Sequence, residues 1–91
     1  MTDAGRKIID FILRKVIRRP SAKIDVDTRL VSSGLIDSFA LVDILGVLED
    51  VTDMDIPAGK IQPKDMDTVR LMLETAARVG RARRGEVQRR I

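Results

Sequence analysis

Apolar residues cluster in three stretches of this 91-residue chain, each at helical spacing. In the first, Ile9, Ile12, Leu13, Val16 and Ile17 recur three and four positions apart, which predicts a helix from about Asp3 to Ile17 with one buried face. Thr2 or Asp3 can cap its start. Arg18, Arg19 and Pro20 end it, since cations suit the carbonyl end of a helix and a proline disfavours helical backbone at the residue before it. The second helix is expected from Ser38 to about Val51, with Asp37 as its cap. Phe39, Val42, Leu45 and Leu48 can form one face, and Leu41, Ile44, Val47 and Val51 widen the apolar surface well beyond a stripe. A helix this apolar is either deeply buried or offers part of its surface to a partner. Val42 is assigned to the core and Leu41 to partial exposure. Gly46 costs about 1 kcal/mol relative to Ala in a helix interior, and leaves room for close approach by another helix or molecule. The third helix runs from about Thr68 to Val79, capped by Asp67, with Val69, Met72, Leu73, Ala76 and Val79 on one face and Gly80 at its end.

The segments between these helices lack a sustained period. From Ser21 to about Ile36, polar residues alternate irregularly with Ile24, Val26, Leu30 and Leu35, which are expected to anchor a long loop to the core. A loop of that length in a small domain is often functional. The break from Asp53 to Asp67 carries Pro57, Gly59 and Pro63. Ile56-Pro57 reads as extended, and Pro63 can open one short helical turn. The fold class is therefore all-α: a small antiparallel bundle of three long helices plus one short helix, with a long loop between the first two. Residues 1–80 make the domain, and 81–91 read as a flexible basic tail.

Composition narrows the chemistry. With no Cys and no His, disulfides, thiolate metal sites and the commonest general base are excluded. The aromatic residues are Phe11 and Phe39, so aliphatic residues must fill the core, with Met54, Met66 and Met72 as fillers. No segment approaches the ~18 apolar residues that span a bilayer, and the first residues do not resemble a secretory signal, so a cytoplasmic protein without membrane insertion is expected. The net charge of +3 conceals an uneven distribution: residues 1–24 carry +5, 25–77 carry −7 and 78–91 carry +5. The overall basicity thus misrepresents an acidic middle.

One stretch carries more information than the rest. Gly34-Leu35-Ile36-Asp37-Ser38-Phe39 lies where the long loop turns into the second helix. It resembles the attachment motif of the acyl and peptidyl carrier proteins, in which Asp-Ser-Leu or a similar triplet opens the second helix. The likeness extends over about residues 5–79, through Asp27-Thr28-Arg29-Leu30, Leu48-Glu49-Asp50, Asp55-Ile56-Pro57 and Asp67-Thr68-Val69. Within that family the motif is most similar to the D-alanyl carriers and other discrete carriers. The second helix is less acidic than in fatty-acid carriers, and the Arg-rich end is not part of the family pattern.

The resemblance implies a non-catalytic protein whose Ser38 receives a 4'-phosphopantetheine arm from coenzyme A, with Asp37 helping to position the transferase's metal ion. The arm would hold an acyl or aminoacyl thioester for polyketide, nonribosomal peptide, fatty-acid or D-alanyl transfer enzymes. Expected partners are a phosphopantetheinyl transferase, an adenylating ligase or acyltransferase, and a downstream synthase or transferase, which would read Phe39, Leu41, Asp43, Glu49 and Asp50 on a monomeric carrier. Met66 and Ile61 are candidates for bordering the arm or its cargo.

Other readings apply to the same residues. Asp37-Ser38 can be a plain helix start. A serine hydrolase lacks a His for its triad. Asp43, Glu49, Asp50, Asp53 and Asp55 lack the spacing of a calcium loop and read as a solvated acidic face, so no metal is expected. The Arg-rich ends leave open a small helical adaptor or nucleic-acid-binding protein, although the C-terminal run, Arg78, Arg81, Arg83, Arg84, Arg89 and Arg90, has no aromatic residue for base stacking, and nucleic acid is not the expected partner.

Overall fold

The computed structural model describes residues 3–19 and 21–82. The first helix, α1, is α-helical over Asp3–Phe11 and widens into π-helical turns over Ile12–Val16. Its buried stripe is Ile8, Ile9 and Ile12, while Leu13, Val16 and Ile17 pack at the edge of the core. Arg18 adopts the left-handed conformation (φ 61°), and the Arg19 amide reaches back to the Leu13 carbonyl at 2.9 Å, so the helix ends by a reversal of its own backbone. Thr2 and Pro20, expected at its two ends, lie outside the described residues.

The second helix, α2, spans Ala40–Thr52, and α3 spans Val69–Val79. Both pack against α1 and against each other. The α2 face turned inward is Leu41, Ile44, Leu45, Leu48 and Val51, with Ile44 and Leu48 fully buried. This overturns the expected face at two positions. Phe39 is 87% exposed and Val42 71% exposed, so Val42 is not core. A helix apolar on nearly every side does not reveal which stripe its neighbours cover. Gly46 is exposed as well, with open space where a Cβ would stand, so nothing among the described residues packs close to it. On α3, Val69, Met72 and Ala76 are buried, as the period predicts.

Short elements fill the gap between α2 and α3. A 3-10 turn covers Ala58–Lys60, and a second covers Pro63–Met66. The second begins at Pro63, as expected, and is closed by a reciprocal cap between Gln62 and Asp65. No strand was expected, yet β1 (Met54–Asp55) pairs antiparallel with β2 (Arg81–Ala82). Arg81 and Ala82, both exposed, are held by this pairing; the rest of the anticipated tail, 83–91, lies outside the described residues. Gly80 makes this pairing possible through its size. Its φ of −75° suits any residue, but an added Cβ would come within 2.5 Å of the Ala76 carbonyl oxygen and 2.7 Å of Met54 Sδ.

The long loop is fastened at both ends of its second half. Leu30 is fully buried, and so nearly is Ile36, whose amide donates to the Leu30 carbonyl at 3.0 Å. Leu35, expected as an anchor, is 45% exposed; Ile36 takes that place. Asp67 is not the cap of α3. That role falls to Thr68, whose hydroxyl accepts from the Leu71 amide at 3.0 Å. Asp67 instead faces the loop. Its Oδ1 accepts from the Val31 and Ser32 amides, and its Oδ2 from the Ser32 hydroxyl, all at 2.8 Å. Its carbonyl accepts from the Leu30 amide at 2.7 Å. One turn further on, Arg70 forks onto the Asp27 carboxylate at 2.6 and 3.0 Å, and its amide donates to the Val26 carbonyl.

These bonds hold the Asp67 carboxyl below its ordinary range, first through the Ser32 amide and then through the Ser32 hydroxyl and the Val31 and Leu30 amides, against an opposing effect of burial. A depressed carboxyl stabilises the fold fully above its unfolded value near pH 3.8, and the contribution disappears as pH falls through the lower folded value. Asp67→Ala should cost about 1–3 kcal/mol in urea unfolding at neutral pH, and should flatten the acid limb of the stability profile below about pH 4. Gly80→Ala should cost about 1–3 kcal/mol by the same measurement, through displacement of Met54 and loss of the short ladder.

Candidate functional site

The loop delivers its motif to solvent in three steps. A turn from Val31 to Gly34 closes with the Gly34 amide on the Val31 carbonyl at 3.0 Å. Gly34 has φ +80°, a conformation that side chains with a Cβ rarely adopt, so a glycine is needed there. Ile36 then plugs the core, and Asp37, Ser38 and Phe39 come next, all exposed.

The start of α2 is composite. The regular ladder opens at Ala40, but the Leu41 amide bonds to the Ser38 carbonyl at 3.2 Å and the Val42 amide to the Phe39 carbonyl at 3.3 Å, a tighter first turn. Phe39, formally the cap residue, makes no side-chain cap bond. Asp37 caps the composite helix, its Oδ1 accepting from the Ala40 amide at 3.0 Å. Ser38 therefore sits in the first turn with its residue in solvent, beside the positive end of the helix.

From Ser38 an open groove of about 200 Å³ runs between α2 and the segment 58–66. One wall is Leu41, Val42 and Leu45; the other is Ala58, Ile61, Gln62, Pro63 and Met66. No lining side chain is charged. Ile61 and Met66, singled out in the sequence, are thus brought to the same groove as Ser38, although Met66 is 1% exposed and shows only its edge. Pro63, Gln62 and Ala58 were missed. Their signal was the Pro63 turn, which was legible, but its side of the bundle was not.

The remaining candidates separate. Phe39, Asp43 and Asp50 lie on the exposed side of α2, and Leu41 is half-buried at the groove. Glu49 is half-buried, and its Oε2 accepts from the Ile56 amide at 2.8 Å, so this carboxylate fastens the chain after α2. Among the described residues no three carboxylates gather where they could hold a metal ion. No helix of the described residues is long and apolar enough to cross a membrane.

Residues 7–75 match the family model for the phosphopantetheine attachment site. The chain belongs to that family. No curated protein and no solved structure matches it. Membership makes this a phosphopantetheine-carrying protein; the family's prosthetic group is 4'-phosphopantetheine. Carrier domains of the family are in general non-catalytic, are modified by a phosphopantetheinyl transferase and meet biosynthetic enzymes. The helical bundle observed agrees with that membership. The residues at the start of α2 fit a phosphodiester: Ser38 is exposed, and it lies beside the first-turn amides of the helix.

Removing the cap tests how the site is held. Asp37→Ala should lower stability by about 0.5–2 kcal/mol in urea unfolding and broaden the amide resonances of Ser38 to Leu41, leaving those of α3 in place.

Proposed function

We propose that Ser38 is the attachment residue and that the protein is a discrete, monomeric carrier of acyl groups. The observation that carries this reading is the exposed Ser38 at the capped start of α2, inside a family match that spans 7–75. The prosthetic group supplies the thiol on which cargo is held as a thioester. The chain's own part is to present the hydroxyl, to keep the motif rigid from Ile36 onward and to offer the groove. Ser38 needs no activating base from this chain, because the transferase brings its own base and metal ion, and Asp37 stands beside the hydroxyl to help place that metal.

The uncharged groove favours cargo with an apolar chain, which can leave water along Leu41, Leu45 and Ile61. A D-alanyl group, which the Gly34–Phe39 motif also suggests, would find no counter-ion in the groove and would stay in solvent. An adenylating ligase or acyltransferase would load the arm in the cytoplasm, and a synthase or transferase would unload it. Exposed Phe39 and Asp43, with Leu41 and Asp50, are the side chains such enzymes would read. The adaptor reading draws on the Arg-rich ends, and predicts nucleic-acid binding that weakens steeply with salt and survives Ser38→Ala.

Intact mass spectrometry after incubation with coenzyme A, magnesium and a broad-specificity transferase should show the gain of one phosphopantetheine. Ser38→Ala should show none. Modification persisting in that variant, or no gain with several transferases, overturns the assignment of Ser38.

A further inference from the structure

From Arg6 to Lys23 the sequence places seven Lys and Arg against one acidic residue, Asp10. All seven cations are exposed. Asp10 pairs with Arg14 at 2.7 Å, and the other six make no ion pair among the described residues. This is the outer side of α1 and the reversal that follows it.

The end of α1 keeps these charges together in solvent. Its last turns are π-helical, with the Ile17 amide bonded to the carbonyl of Ile12, five positions back, at 2.8 Å. At regular α spacing, positions 15 and 16 return to the side of Ile12. The wider turn returns Val16 and Ile17 instead, and both pack against the core. Lys15 is thereby left exposed next to Arg14. Arg18 and Arg19 follow at once, in the left-handed step and the backward bond that end the helix. Wide turns of this kind are rare and often mark functional sites.

The face carries charge without apolar anchors. The exposed large apolar side chains of the described residues are Leu35, Phe39, Val42 and Leu71, all away from α1. A protein interface takes most of its energy from buried aromatic and Arg anchors in packed pockets, which a smooth cationic face does not form. Phe11, the aromatic residue of α1, packs against the core rather than standing out to stack on a base. An anionic bilayer asks only for clustered cations, each worth about fivefold in affinity close to its surface. The same surface repels residues 25–77, which carry −7, so it turns α1 towards itself and leaves the exposed side of α2 to solvent.

We infer that the basic face of α1 docks the chain peripherally on an anionic phospholipid surface, without crossing it. A carrier held there can hand an apolar acyl chain to an acceptor in the bilayer. The preference for lipid over a nucleic-acid duplex rests on the apolar cargo proposed above; the docking does not depend on Ser38.

The test uses the full, unmodified chain. It should sediment with vesicles of phosphatidylglycerol and phosphatidylcholine and not with phosphatidylcholine alone. About 1 M salt, which shortens screening to about 3 Å, should release it. Lys15→Glu combined with Arg19→Glu should weaken the binding by about 25-fold or more, with the urea midpoint unchanged. In small bicelles of the same lipids, a spin label on the headgroup should broaden the amide resonances of Lys7, Arg14 and Lys15 most. Equal sedimentation with uncharged vesicles overturns the docking, and so does an affinity that the double substitution leaves intact. Broadening strongest on α2, or at Arg81 and Ala82, overturns the placement on α1. Tighter binding of a DNA duplex than of the vesicles at one ionic strength overturns the assignment to lipid. Ser38→Ala should bind the vesicles as the unsubstituted chain does, so the docking and the attachment of phosphopantetheine fail separately.

Discussion

Asp67 is the point on which the site depends. Its side chain and carbonyl together receive four hydrogen bonds from Leu30, Val31 and Ser32, thirty-five or more positions earlier in the chain. The long connection between Val16 and Ala40 has a large entropy to lose. Burial of Leu30 and Ile36 offsets part of it, and the Asp67 bonds with the Asp27–Arg70 fork set where the loop lies. Once the loop is fixed against the start of α3, the Gly34 turn and the Ile36 plug leave Asp37, Ser38 and Phe39 facing outward.

That arrangement separates rigidity from exposure. The family's chemistry requires a hydroxyl that several enzymes can reach. It also requires a site whose position does not wander between encounters. The hydroxyl proposed for that role, on Ser38, belongs to the first turn of a helix whose inner face is buried by Ile44 and Leu48, while the loop before it is tied to a different helix. Beside Ser38, α2 turns Leu41 and Leu45 to the groove along the segment 58–66 and leaves Phe39, Asp43 and Asp50 exposed.

Much of the bundle was legible in the chain. The periods of α1 and α3 are strong because each has one apolar face, and the Pro63 turn announced itself by its proline. The start of α2 and the cap at Asp37 were legible for the same local reason, an Asx residue ahead of an apolar run. What escaped was set by tertiary contact. Val42 and Leu35 are apolar yet exposed, because the number of neighbours is too small to cover every apolar side chain of a domain this size. Asp67 looked like a cap because it precedes a helix; a long-range partner claimed it and left Thr68 to cap. β2 was hidden in a basic run whose composition favours no strand, and Gly80, which ends α3 as its sequence position implies, is needed in addition for the space beside Met54.

Native-state hydrogen exchange with amide resolution reaches the central claim most directly. If the loop is fastened through Asp67, the Leu30, Val31, Ser32 and Ile36 amides exchange with protection close to that of α3, while Ser38 and Phe39 exchange rapidly. Loop amides that exchange as fast as an unfolded chain, while α3 stays protected, would contradict the account.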